Sequence, residues 1–242
     1  MPGRGVDTLS SVMAHTGPDG SRSIRSYIRR QGRITRAQAR ARTELWARYG
    51  VEIGSESLDV ERIFGRDAPL VVEVGFGMGH ALTVLAARHA DWNFIGIEVY
   101  RAGIGALLAG LHKEMLTNVR VCEADAVEVF EHALAPQSIS TLMIYFPDPW
   151  PKRRHHKRRL VRQSFLDLAA SRLIPAGRLL IATDWTEYAT EMLEALEGHP
   201  QFVNAAETEG FALRPVERPT TRFEARGLGL GHPIYDLTFE RV

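Results

Sequence analysis

From Pro69 onward, short apolar runs alternate with segments of helical periodicity along most of the chain. This alternation predicts a mostly parallel sheet with helices on both faces, because parallel neighbours need crossover connections. Seven strands are expected, at 70–74, 93–99, 119–123, 140–146, 178–183, 202–205 and 234–240. Helices are expected at 80–89, 101–116, 126–134, 158–173 and 185–196, with a glycine-rich loop at 227–231. Ligands of such sheets bind beyond the carboxyl ends of the strands.

Three glycines follow the first expected strand, in the run Glu73-Val74-Gly75-Phe76-Gly77-Met78-Gly79. Glycine permits left-handed backbone and close approach of a ligand, and the N–H groups of the following helix can receive an anion. The run does not match the dinucleotide pattern G-x-G-x-x-G, because its third glycine comes one position early. An amino-acid carboxylate would suit the turn, with Glu73 receiving the ammonium group of the same ligand. A tight turn that binds nothing is the alternative.

Acidic residues also follow the next three strands. Glu98 closes the second strand, where a carboxylate can accept from ribose hydroxyls. Asp125, followed by Ala126, is placed to accept from an adenine amino group, and Asp148 follows the fourth strand. Each acid alone is more often a helix N-cap, but capping does not require four of them at one sheet edge. The combination describes S-adenosylmethionine better than NAD or ATP, so S-adenosylmethionine is the expected cofactor.

Two segments concentrate the positive charge of the chain. Residues 22–42 hold eight arginines and residues 152–162 hold seven basic residues, and neither segment contains an acid. The other 210 positions carry 15 basic residues against all 29 acidic ones, a net charge of −14. An acidic body with two basic patches predicts a site for a polyanion such as RNA. Two solvated helix faces are the alternative interpretation.

Composition narrows the kinds of site and the classes of protein that remain possible. The single cysteine, Cys122, excludes an intrachain disulfide and a cysteine-built zinc site. No metal is expected, because the adjacent His155 and His156 point apart. No signal-peptide core or membrane-length apolar stretch occurs, so a cytoplasmic protein without a membrane partner is expected. We expect a disordered tail at 1–21, a basic arm and helix at 22–60 and the main domain at 61–242.

Several motifs then resemble one family. They are the glycine run, GIEV at 96–99, FPDPWPKRRHHKRR at 146–159, ATDW at 182–185 and TRFEARG at 221–227, after an opening RSYIRRQGRIT at 25–35. In this order they are similar to the motifs of the bacterial tRNA (guanine-N7-)-methyltransferases, over residues 22–242. Pro151 is a modest departure, since the family pattern has His there.

The resemblance implies a Rossmann-like, class I S-adenosylmethionine-dependent methyltransferase fold. It also implies methyl transfer to N7 of a guanine in the variable loop of tRNA, at position 46, by a monomer or homodimer. The implied cofactor residues are Glu73, Gly75, Gly77, Glu98, Asp125, Ala126 and Asp148. The implied substrate residues are Lys152, Asp184, Thr221, Arg222, Phe223 and Glu224. The implied RNA contacts are Arg154, His155, His156, Lys157, Arg158 and Arg159.

Guanine N7 carries an in-plane lone pair, so methylation there needs no base to remove a proton. Positive charge develops on the purine, so positioning and nearby carboxylates should supply the catalysis. Asp148 is the expected catalytic residue, with Asp184 beside it on the adjacent strand. Glu224 could read the Watson–Crick edge of an extruded guanine.

Three other functions stay open. The turn at Asp148 approaches the [DN]-P-P-[YF] turn of enzymes that methylate exocyclic amines. A nicotinamide-dependent dehydrogenase would need a later glycine and a hydride-transfer partner. A non-catalytic RNA-binding module could keep an empty cofactor fold. The N-terminal arm is expected to order or shift on RNA binding, with Tyr27 available for stacking and Trp46 packed on the body.

Overall fold

The computed structural model describes residues 33–54, 56–207 and 210–242, leaving aside the side chain of Arg222. The expectations for the tail at 1–21, for most of the basic arm and for Tyr27 therefore lie outside the described residues. The first helix, α1 (Arg36–Tyr49), begins with a capping box between Thr35 and Gln38. Trp46 on this helix packs against the apolar core, as expected.

Within the described residues, seven strands form one sheet, which confirms the expected fold class. They are β1 (Leu70–Val74), β2 (Asn93–Ile97), β3 (Val119–Cys122), β4 (Ile139–Tyr145), β5 (Leu173–Thr183), β6 (Phe202–Asn204) and β7 (Tyr235–Arg241). Their order is β3-β2-β1-β4-β5-β7-β6, and all neighbours are parallel except β7, which runs antiparallel to β5 and β6. Strand order reverses between β1 and β4, so a crevice is expected at the carboxyl ends of these two strands.

Helices cover both faces of the sheet. After α1 they are α2 (Val60–Phe64), α3 (His80–Arg88), α4 (Arg101–Lys113), α5 (Ala126–Glu128), α6 (Gln163–Arg172), α7 (Thr186–Glu197) and α8 (Arg222–Gly229). A π-helical turn, Val129–Ala133, continues α5. Side chains of α1, α3 and α4 pack on one face, and those of α5, α6 and α7 pack on the other. Alternation along β1 divides its residues between these two cores, with Val72 on one side and Val71 on the other.

Glycines inside α4 allow two close contacts. A Cβ atom at Gly103 would lie 2.0 Å from the carbonyl oxygen of Gly77, and one at Gly105 would lie 2.2 Å from that of Gln38. Both distances are far too short for a side chain. The glycines therefore let α4 pack directly against the glycine run on one side and against α1 on the other.

Several sequence expectations for local structure are wrong. Strand β5 begins at Leu173 rather than at residue 178. Strand β2 ends at Ile97 rather than at residue 99, because the backbone N–H groups of Val99 and Tyr100 turn to donate to the Glu98 carboxylate. The helix expected from residue 158 begins only at Gln163, after a 3-10 helix, Arg153–Arg158. Part of the expected glycine loop is helical, since a capping box between Thr221 and Glu224 starts α8. None of the helices in the described residues is both long enough and apolar enough to cross a membrane.

Candidate active site

A cavity of about 430 Å³ opens at the carboxyl ends of β1 and β4, at the reversal in strand order. Segments that follow β1, β2, β3 and β4 all contribute to its wall. The lining residues include Gly75, Glu98, Tyr100, Ala126, Phe146, Asp148 and Phe223. Of the four acids expected at this edge, Glu98 and Asp148 line the cavity.

Glu98 connects the glycine run to the end of β2. Its Oε2 accepts a hydrogen bond from the Gly77 amide at 2.9 Å, and its Oε1 accepts from the amides of Val99 and Tyr100 at 2.7 and 3.0 Å. Gly77 can face this carboxylate because its φ is +56°, in the left-handed region. Burial raises the pKa of Glu98 despite these three bonds, and the charge of Asp148 raises it further. Glu98 and Asp148 therefore interact across the cavity.

Glu73 is the most deeply buried of the four acids, with 3% of its surface exposed. Its Oε2 has no hydrogen-bond partner among the described residues. Burial raises the pKa of Glu73 to about 8, and the nearby charge of Glu98 adds to the effect. A buried carboxyl oxygen without a donor is costly unless a ligand donates to it.

Asp125 has a capping role in the described structure. Its Oδ1 accepts from the Val127 amide at 2.8 Å and starts α5. Helix capping is the alternative role that the sequence left open for each of the four acids. Its neighbours Ala124 and Ala126 nevertheless line the cavity, so the start of α5 belongs to the cavity wall.

The turn after β4 has an unusual backbone. Phe146 and Trp150 have φ values of +55° and +47°, and they enclose Pro147, Asp148 and Pro149. Left-handed backbone is costly for residues other than glycine, and it persists where surrounding contacts fix it. Phe146, Pro147 and Asp148 line the cavity, while Trp150 is 6% exposed and packs against the ring edge of His155. The turn thus holds Asp148 in the wall through fixed neighbours.

Comparison with known proteins shows which family the chain belongs to. Residues 67–237 match the family model described as "Putative methyltransferase". Proteins named tRNA (guanine-N(7)-)-methyltransferase from Pseudomonas paraeruginosa, Bordetella pertussis and Vibrio parahaemolyticus are each 46% identical to it. These alignments cover 96%, 95% and 91% of this chain and 95%, 90% and 93% of the relatives. The chain belongs to the tRNA (guanine-N7-)-methyltransferase family.

Solved structures agree with this family's fold. The 16S rRNA methyltransferase KamB has a TM-score of 0.55 at 17% identity, over 77% of this chain and 94% of that one. TrmN from Thermus thermophilus has a TM-score of 0.50 at 16% identity, over 76% of this chain and 47% of that one. At such low identity these two likenesses show the fold alone.

The basic segment of this methyltransferase divides into exposed and buried members. Lys152, Arg154 and Lys157 are exposed, and His155, His156 and Arg158 are half-buried. The Arg158 guanidinium lies 4.9 Å from the ring centre of Trp150. Local desolvation and the charges of Arg154 and Arg158 lower the pKa of His155, which therefore favours its neutral form. Lys152, Arg154 and Lys157 are thus open to solvent, and their contact with RNA stays a prediction.

Arg159 corrects one expectation for this segment. It was expected to contact RNA, but none of its surface is exposed. Its guanidinium pairs with Glu191 and, at 3.5 Å, with Glu187, and its Nε donates to the carbonyl oxygen of Pro149 at 2.8 Å. A side chain enclosed in this way cannot reach a phosphate in the described conformation.

The substrate residues expected near α8 lie around the start and the inner side of that helix. Phe223 lines the cavity and keeps 53% of its surface exposed. A carboxylate oxygen of Asp184 lies 3.0 Å from where a Gly227 Cβ would stand, so Asp184 faces α8. Thr221 caps this helix, and the Arg222 side chain lies outside the described part of the structure.

Glu224 was expected to read guanine, but its carboxylate is already occupied. Arg218 donates to both of its oxygens at 2.9 Å, Arg214 donates to Oε1 at 2.9 Å, and the Thr221 amide donates to Oε2 at 3.3 Å. Burial alone would raise the pKa of Glu224, but Arg214 and Arg218 lower it below its ordinary value. With 1% of its surface exposed, Glu224 has no acceptor left for a base in this conformation.

Arg218 is the main residue that sequence reasoning missed. It is buried, pairs with Glu224 and with Asp236 on β7, and its guanidinium lies 5.7 Å from the ring centre of Tyr145. An arginine in an irregular segment gives no signal of its own in the sequence.

Among the described residues, no group of three or more His, Cys, Asp or Glu side chains is arranged to hold a metal ion.

Proposed function

We propose that this chain transfers a methyl group from S-adenosylmethionine to N7 of a guanine in tRNA, within the variable loop. The observation that carries the proposal is a single cavity whose wall contains part of the glycine run, the strand-end acids Glu98 and Asp148, and the turn that leads into the exposed basic segment. Membership of the family supports the reaction and the substrate. A cytoplasmic location, where tRNA is modified, is part of the same proposal.

The residues around the cavity fit this cofactor. The partnerless Glu73 Oε2 can accept from the amino-acid ammonium group. A Cβ atom at Gly75 or Gly77 would meet no atom within 4 Å, so a ligand could lie against the backbone of the glycine run. Glu98 lines the cavity, where its carboxylate would accept from ribose hydroxyls, and Asp125 with Ala126 would border the adenine. When bound, the cofactor supplies an electrophilic methyl group on a sulfonium. The protein residues then have to orient the acceptor and stabilise the charge that develops on it.

The guanine would enter from the side of the Asp148 turn and α8. Asp148 offers a carboxylate to the purine as it becomes positive, with Asp184 as the second acid at the neighbouring strand end. Phe223 offers a half-exposed ring on which a base can stack. Lys152, Arg154 and Lys157 are exposed to phosphates, with His155, His156 and Arg158 at their edge. Thr221 and Glu224 would act by starting α8, which carries Arg222 and Phe223.

An atom replacement in the RNA tests the position of transfer. The wild-type chain is incubated with labelled cofactor and two transcripts of one tRNA, of which the second contains 7-deazaguanosine in place of guanosine. The first transcript should gain one methyl group, at a variable-loop guanine mapped by sequencing. The second should gain none, because it lacks N7. Label retained by the second transcript would point to an exocyclic amine and overturn the proposal.

The raised pKa of Glu73 predicts that cofactor binding releases a proton. At pH 7 its carboxyl group, with a pKa of about 8, is mostly protonated in the cofactor-free chain. An arriving ammonium stabilises the carboxylate, so its pKa falls and a proton leaves. Affinity should therefore rise with pH from about 6 to 7.5, by at most about tenfold per unit, while most of the ligand's ammonium is still charged.

Calorimetry in two buffers with different ionisation enthalpies measures this proton directly. The control is Glu73→Gln, which keeps the shape of the side chain but has no proton to lose, and it should bind more weakly with much less dependence on pH. Wild-type binding with no proton release between pH 6 and 7.5 would contradict the assignment of Glu73 to the ammonium group.

A further inference from the structure

Arg159 differs from every other cation in the basic segment. Its guanidinium is fully buried and makes contacts in three directions. It pairs with Glu187 and Glu191 on α7, it lies 4.9 Å from the ring centre of Tyr188, and its Nε donates to the Pro149 carbonyl oxygen at 2.8 Å. The carboxylates come from one turn of α7, so Arg159 connects that helix to the turn after β4.

The Pro149 carbonyl is a sensitive place for such a bond. It belongs to the residue directly after Asp148 and directly before Trp150, whose backbone is left-handed. A costly backbone conformation persists only where its surroundings fix it, and here the other fixed end is the Phe146 amide, which donates to the Ala182 carbonyl at 2.8 Å. Arg159 thus supplies a hydrogen bond on the far side of Asp148.

Arg159 also fixes the start of the exposed basic surface. Its Nη2 lies 3.0 Å from Nε2 of His156, inside the 3-10 helix that carries Arg154 and Lys157. One buried side chain therefore contacts the turn with Asp148, the 3-10 helix and α7. Because two carboxylates neutralise it, it has little charge to offer to an incoming phosphate.

We propose that Arg159 is a positioning residue for methyl transfer, which sets the place of Asp148 through the Pro149 carbonyl and makes no contact with RNA. This inference rests on the proposed function. Lysine at this position keeps the charge, but it cannot reach Pro149 and α7 at once with a planar fork. Methionine keeps the volume and loses both contacts.

The test compares Arg159→Lys and Arg159→Met with the wild type and with Arg154→Gln, which removes an exposed cation from the same segment. Single-turnover methylation at saturating cofactor and tRNA should fall about 10- to 100-fold in Arg159→Met, since small misplacements of reacting groups have effects of this size. Arg159→Lys should lie between Arg159→Met and the wild type. The dissociation constant for tRNA should stay within about twofold, with an unchanged salt slope.

Unlike the Arg159 variants, Arg154→Gln should bind tRNA more weakly. The slope of the logarithm of its tRNA affinity against the logarithm of salt concentration should be smaller by about 0.7 to 0.9. Hydrogen exchange gives a readout without catalysis. The Phe146 amide should exchange faster in the Arg159 variants, while α7 keeps its protection. If Arg159→Met does not fold, Glu191→Gln, which removes one of the two counter-charges of Arg159 at a half-exposed side chain, should give a smaller change in the same measurements.

Each outcome decides between the alternatives. A smaller salt slope in the Arg159 variants would make Arg159 an RNA contact and overturn the inference. An ordinary single-turnover rate with a lowered melting temperature would make it a structural residue only, which also overturns it. A wild-type chain that transfers no methyl group to tRNA would instead refute the proposed function, and this inference with it.

Discussion

Asp148→Asn is expected to lower kcat by roughly 10²- to 10³-fold, the loss typical of one missing electrostatic stabiliser. The substitution keeps the shape of the side chain in the wall of the cavity and removes its negative charge. Methylation at N7 makes the purine cationic, so the charge matters more in the transition state than in the bound ground state. Affinity for tRNA should therefore change much less than kcat. Steady-state and single-turnover rates with one tRNA transcript measure the effect.

Glu123→Gln is the matched control for the loss of a carboxylate at this sheet edge. Glu123 follows β3, but its oxygens pair with Arg42 on α1 and Arg101 on α4, and it is not among the residues that line the cavity. Its kcat should stay within about twofold of the wild type. A second readout comes from Glu98, whose pKa is raised in part by Asp148 and should fall in Asp148→Asn. Equal kcat values for Asp148→Asn and the wild type would remove Asp148 from the mechanism.

Sequence reasoning located the cavity because it depends on local signals. Buried strands, left-handed glycines and acids at strand ends each follow from short-range patterns, and parallel register then brings the strand ends to one edge. Glu98 and Asp148, which both line the cavity, could therefore be predicted to lie at one edge of the sheet. For Asp125 the same pattern left two explanations open, and the described structure contains the capping bond.

The corrections at Arg159 and Glu224 have a different origin. In the run KRRHHKRR, Arg159 is chemically the same as its neighbours, and only α7, which follows about 30 residues later, supplies the carboxylates that bury it. Glu224 likewise looked available in sequence, although Arg218 lies only six residues away in a segment without periodicity. Burial of a charged side chain depends on partners brought by tertiary structure, which no local pattern reports.

Arg218→Met is expected to destabilise the fold by about 3 to 5 kcal/mol. Arg218 lies between two buried carboxylates, Glu224 on α8 and Asp236 on β7, and its removal leaves both charges without their principal partner. For a chain of this length, such a loss lowers the melting temperature by roughly 10 °C. Thermal unfolding followed by circular dichroism measures the shift.

The pH dependence and a compensating variant separate lost charge pairing from lost packing. Without Arg218, burial raises the pKa of Asp236 further, and the pKa of Glu224 rises from its lowered value although Arg214 still lowers it. The deficit should therefore be large at pH 7 and shrink towards pH 4 as the carboxyl groups become protonated. Adding Glu224→Gln and Asp236→Asn to Arg218→Met removes the stranded charges and should recover much of the stability at pH 7.

Arg214→Met is the control, because Arg214 is 40% exposed and its loss should cost about 1 kcal/mol or less. If the triple variant were no more stable than Arg218→Met, the arginine would act through packing against Tyr145 and Phe146 rather than through its charge.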